Sequence, residues 1–139
     1  MKYKYQVGCS IENLKGVRDF IRASLKNHHI SDLEISEMVL ALDEMCSNLM
    51  IHAHDCNPKE IFELHILVDK DDPVVFEIID EGTAFDINQF KEPTMDNIIH
   101  EKRKGGLGIR LVKSIMDSVE YEQKRNKCIC RLAKKVNFN

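Results

Sequence analysis

The chain has 139 residues, 43% of them hydrophobic and 31% charged, with a formal net charge of −3. That length fits one domain with a buried core, needing no disulfide or structural metal, and the composition excludes a disordered chain. The slightly acidic balance carries no nucleic-acid signal, no run of 18 apolar residues offers a transmembrane helix, and the N-terminus lacks the apolar stretch of a signal peptide.

Lys2, Tyr3, Lys4, Tyr5, Gln6 and Val7 alternate polar and apolar, which predicts a half-buried strand over 2–8. Ser10 then stands where a helix N-cap belongs, ahead of Leu14, Val17, Phe20, Ile21 and Leu25 at helical spacing. That helix is expected to end near Asn27-His28-His29, read as a solvated end. Ser31-Asp32-Leu33-Glu34 has the spacing of a capping box. Ile35, Met38, Val39, Leu42, Met45, Leu49 and Met50 follow on one stripe, so a long helix should run to about His54 and stop at Asn57-Pro58.

Residues 60–69 and 74–80 read as strands, joined into a hairpin by the turn Lys70-Asp71-Asp72-Pro73. Residues 81–106 are polar and irregular, and a connection of that length inside a compact domain is usually functional. A helix is expected over about 107–117, with Ile109, Val112, Ile115 and Met116 as its apolar face, then strands over 118–124 and 127–135 around Arg125-Asn126. Hairpin-like connections favour a two-layer α/β sandwich, a mostly antiparallel sheet with the helices on one face. The expectation is a single domain over 1–139. The five cysteines, Cys9, Cys46, Cys56, Cys128 and Cys130, are odd in number and lack C-x-x-C spacing, so they read as reduced thiols of a cytoplasmic protein.

Three short patterns carry chemistry. Glu44 and Asn48 are four apart, one turn apart on one helix face, where a carboxylate and a carboxamide can hold a hard cation or accept a proton. Alone, this is also what an ordinary polar helix face looks like. Asp80 ends a strand rich in β-branched residues and Gly82 follows it, which suits either a plain turn or an acceptor for a purine amino group with open backbone beneath the ring. Lys104-Gly105-Gly106-Leu107-Gly108 opens a helix, and unhindered N–H groups at a helix start suit phosphate, with Lys104 adding positive charge. The spacing is neither a Walker A loop nor a dinucleotide fingerprint. His52 and His54 point in different directions on a helix, which makes a poor metal site.

In this order the patterns resemble the GHKL ATPase superfamily: Glu44-x-x-x-Asn48 its N box, Asp80-x-Gly82 its G1 box, and Gly105-Gly106-Leu107-Gly108 its G2 box. The chain is most similar to the branch of bacterial anti-sigma-factor serine kinases of partner-switching modules. His52 stands four residues after Asn48, and Gly106-Leu107-Gly108 leads to Ile115-Met116-Asp117-Ser118-Val119-Glu120-Tyr121, as is common in that branch. The resemblance implies Glu44 as general base and Asn48 as Mg²⁺ ligand. It implies Asp80 and Gly82 as adenine contacts, and Lys104, Gly105, Gly106, Leu107 and Gly108 as the phosphate loop beside a lid over about 88–106. A supporting Gly-Thr pair common in the superfamily is replaced here by Arg125-Asn126-Lys127-Cys128. The function implied is an ATP- and Mg²⁺-dependent serine/threonine protein kinase that is also an anti-sigma factor. Its partners would be a sigma factor and an antagonist protein phosphorylated on serine, with a homodimer common in the family. The alternative is a nucleotide-binding module that switches protein partners without phosphotransfer.

Overall fold

The structure, a computed structural model, describes residues 1–53, 60–81, 106–124 and 127–138. The expected stop at Asn57-Pro58, the segment 82–105 and the turn at 125–126 lie outside the described residues. The elements are β1 (Lys2–Gly8), α1 (Leu14–Leu25), α2 (Asp32–Asn48), β2 (Ile61–Leu67), β3 (Val74–Glu81), α3 (Gly106–Ile115), β4 (Ser118–Lys124) and β5 (Lys127–Lys134).

The strands form one five-stranded sheet in the order β1-β2-β3-β5-β4, with every neighbouring pair antiparallel. Cross-strand register explains why only one face is covered. Leu64 lies opposite Ile78 and Ile78 opposite Cys130; Ile66 lies opposite Phe76 and Phe76 opposite Leu132. All six are buried in one core with Val17, Ile21 and Leu25 of α1, Met38, Leu42 and Met45 of α2, and Ile109 and Val112 of α3. Each large side chain so buried contributes about 1.5–3 kcal/mol relative to exposure, which outweighs the few tenths per residue of intrinsic helix preference. The helices therefore sit where the apolar face puts them, and the two-layer α/β sandwich expected from the sequence is the fold observed.

The opposite face mixes polar and apolar rows. Lys4, His65, Glu77, Arg131 and Glu120 form one row across all five strands, and Arg131 donates from Nε and an Nη to Glu77 at 3.1 and 3.0 Å.

Local signals set the helix starts. Ser31 accepts the Glu34 N–H at 3.2 Å and donates its hydroxyl to the Glu34 carboxylate at 3.1 Å, so the capping box opens α2. Ser10 behaves differently from its expected N-cap role. A short 3₁₀ turn, Ile11–Asn13, intervenes, the Ser10 side chain makes no capping bond, and α1 starts at Leu14. Asn13 instead donates its amide to the Gly8 carbonyl at 2.8 Å. The end of α1 is also less solvated than expected. Exposed His29 takes the left-handed φ of 62°, but half-buried His28 pairs its Nε2 with the Tyr3 hydroxyl at 2.7 Å.

Candidate functional site

Glu44 and Asn48 occupy the last two turns of α2. Asn48 is 2% exposed, and its Nδ2 has no hydrogen-bond partner among the described residues. A buried amide left without a partner costs about 1–3 kcal/mol. Directly after Asn48 the helix widens into a single π-helical turn, Leu49–Ala53, which contains His52. Such turns are inserted at functional sites more often than elsewhere, because they rotate a side chain without ending the helix.

Asp80 lies on the inward face near the end of β3, between Phe62 of β2 and Cys128 of β5, and is 2% exposed. Cys46, between Glu44 and Asn48, is fully buried and close enough to Cys130 for that thiol to add to the cost of ionising Cys46. Cys130 pairs across the ladder with Ile78, two residues, or about 7 Å, from Asp80. The end of α2 that carries Asn48 thus overlies the part of the sheet that ends in Asp80.

The third element is α3, which packs against α2. Gly106 is its first residue, Leu107 its second, and Gly108 is buried in its first turn. A Cβ placed on Gly108 would strike Oε2 of Glu44 and lie 2.9 Å from its Cδ. The structure therefore brings together Glu44 and Gly108, 64 positions apart, from two of the three sequence patterns. Gly82, Lys104 and Gly105 lie outside the described residues.

Glu44 is half-buried, and its carboxyl is held above the usual carboxylate range, first by burial and then by the negative charge of Asp43 beside it. Asp43 is itself ion-paired, accepting from Arg18 of α1 at 2.7 Å. Burial, Asp43 and Cys130 together keep the Cys46 thiol protonated, so it is not a nucleophile. The inventory is a carboxylate with raised proton affinity, a buried carboxamide, a buried strand-end carboxylate and the start of a helix. Together they can accept a proton, bind an oxygen-liganded cation, receive an amino group and meet an anion.

The sequence reading missed Arg18 and the reason residue 108 is glycine. Arg18 stands beside the apolar stripe of α1 and carries no local signal of its distant partner. Among the described residues, no helix is long and apolar enough to cross a membrane.

Residues 9–134 match the family described as the histidine kinase-like ATPase domain. The chain is 30% identical over 94 residues to the serine-protein kinase RsbW of Halalkalibacterium halodurans, covering 65% of this chain and 56% of that relative. It is 28% identical over 108 residues to the anti-sigma F factor of Caldanaerobacter subterraneus, covering 76% of this chain and 73% of the relative. It spans a little over half the length of the RsbW relatives it matches. Among solved structures, the RsbU and RsbW domains of a Mycobacterium tuberculosis protein superpose with a TM-score of 0.67 at 14% identity, covering 98% of this chain and 32% of that one. A chain of the SiaB–SiaC complex from Pseudomonas aeruginosa gives 0.65 at 13%, covering 94% and 88%. These two likenesses show the fold.

Proposed function

The chain belongs to the histidine kinase-like ATPase domain family, and on that premise we propose that it is an ATP-dependent serine/threonine protein kinase and anti-sigma factor that phosphorylates a serine of an antagonist protein. Its partners in this reading are a sigma factor, that antagonist and a second copy of the chain. The observation that carries the proposal is Glu44, a carboxylate of raised proton affinity packed against the first turn of α3. A module that only binds nucleotide has no use for such a base. The names of the RsbW relatives and the anti-sigma F factor point the same way.

Glu44 takes the proton of the serine hydroxyl. The serine oxygen bonds to the γ-phosphorus of ATP as the bond from that phosphorus to the oxygen retained by ADP breaks, which leaves ADP, phosphoserine and a protonated Glu44. In this reading Asp80 and Gly82 would serve the adenine, Asp80 as acceptor for its amino group, and Lys104 with Gly105, Gly106, Leu107 and Gly108 would serve the phosphates. The carboxamide oxygen of Asn48 is of the kind that ligates a hard cation, so Asn48 would hold Mg²⁺, while its buried Nδ2, without a partner among the described residues, is a donor suited to a phosphate oxygen. When bound, Mg²⁺ neutralises phosphate charge.

The test is a melting series with Mg²⁺-ATP, followed by phosphoryl transfer to a purified antagonist. Saturation at a hundred times Kd should add about 2.7 kcal/mol of stability, and Asn48→Ala should remove most of the gain. No shift at millimolar nucleotide overturns the proposal. A shift without transfer to any serine leaves the alternative, a nucleotide-gated partner switch.

A further inference from the structure

Gly108 is a glycine for a reason that neither the helix nor an anion explains. Its φ lies outside the left-handed region, so the backbone does not require glycine there. Inside a helix, glycine is less favourable than alanine. An N–H directed at a phosphate does not require it either, because every residue except proline carries that N–H. What the position lacks is a Cβ, and the three atoms nearest to where one would stand all belong to Glu44. They are Oε2, which it would strike, Cδ at 2.9 Å and Cβ at 3.4 Å.

We infer that Gly108 is a positioning residue for Glu44: the bare first turn of α3 is the seat on which the Glu44 carboxylate rests. The inference deepens the kinase reading above and rests on Glu44 being its base. It gives α3 a second task. The same turn that opens the helix to an anion also fixes where the proton acceptor lies, so base and phosphate are placed by one rigid element. The clashing oxygen is the free end of a flexible side chain, so an added methyl displaces the carboxylate and leaves the fold in place.

Gly108→Ala separates this role from phosphate binding, because it keeps the N–H and adds only the methyl. Transfer of phosphate to the antagonist should fall in kcat on the order of a hundredfold, the loss expected for a misplacement near 1 Å. The Kd for Mg²⁺-ATP should rise by a much smaller factor than kcat falls, because the N–H is kept. Glu44→Asp, which shortens the side chain by one methylene, should recover part of kcat in the Gly108→Ala background while lowering it in the wild type. An unchanged kcat overturns the inference. So does a loss of ATP affinity as large as the loss of kcat/KM, or a double variant no faster than the two single losses combined. If the wild type transfers no phosphate, the kinase reading fails by itself, and a crystal structure of Gly108→Ala decides the seat: a displaced Glu44 carboxylate upholds it and an unmoved one overturns it. Should Gly108→Ala fail to fold, recovery of folding in Glu44→Ala/Gly108→Ala upholds the contact, and continued misfolding overturns it.

Discussion

The Arg18 guanidinium donates to the Asp43 carboxylate at 2.7 Å, which ties α1 to the residue immediately before Glu44. Asp43 raises the proton affinity of Glu44, and Arg18 offsets part of that negative charge. Arg18→Gln should therefore raise the proton affinity of Glu44 further. The acid limb of the pH profile for phosphoryl transfer should move to higher pH, because Glu44 must be ionised to accept a proton. Stability should change by no more than about 1 kcal/mol, since the pair is partly exposed. A pH titration of kcat/KM on wild type and variant checks this, and a limb that stays in place or moves down refutes the coupling.

Asn48 combines burial with an amide nitrogen that has no partner among the described residues. Leucine has nearly the same branched shape without the polar atoms. Asn48→Leu should leave the ligand-free protein as stable as wild type or more stable by about 1 kcal/mol, because it removes an amide nitrogen that has no partner among the described residues. The same variant should show no nucleotide-dependent rise in melting temperature. Denaturant unfolding with and without Mg²⁺-ATP reads both effects. A large loss of stability in the ligand-free state would mean that Asn48 serves the core.

These two residues mark how far the sequence could be read. The places of Asn48, Glu44 and Asp80, on a helix face and near a strand end, were legible because local periodicity fixes them. The capping box at Ser31 and Glu34 was legible for the same reason, since its partners are three apart. Ser10 misled because Asn13 offers the Gly8 carbonyl a competing bond and a 3₁₀ turn takes the first residues of the expected helix. His28 misled because its partner, Tyr3, lies on another element. The Arg18–Asp43 pair and the Gly108–Glu44 contact join residues 25 and 64 positions apart through helix packing. No window of periodicity reports such a contact, although the three glycines in four residues at 105–108 signalled that something approaches closely there.

Asp80 is buried at the strand end, where a negative acceptor suits an exocyclic amino group. Guanine presents a carbonyl in the equivalent place, which a carboxylate repels. Asp80→Asn replaces one acceptor oxygen by a donor. ATP affinity should fall roughly tenfold, within the range for losing a hydrogen bond to a charged group. GTP affinity should hold or improve. Competition binding with the two nucleotides measures the ratio, and an unchanged preference removes Asp80 from base recognition.

Glu44 also connects catalysis to stability. Burial, then Asp43, raises its carboxyl in the folded chain above the ordinary value of 4.5 that the unfolded chain retains. Between those two values the folded state binds more protons than the unfolded state, so stability falls as pH rises through that window and stays lowered above it. Glu44→Gln keeps the size of the side chain, and with it the packing against Gly108, but carries no charge to desolvate. It should melt higher than wild type at pH 8, and the gap should close as pH falls toward the ordinary carboxylate range. Phosphoryl transfer by the same variant should drop by about 10²–10⁴-fold, with ATP binding retained, as loss of a general base requires. Melting curves across pH, set beside single-turnover transfer, test the two consequences separately. A gap that widens toward acid would show that the folded chain stabilises the charged form of Glu44, and its raised proton affinity could then no longer support its role as base.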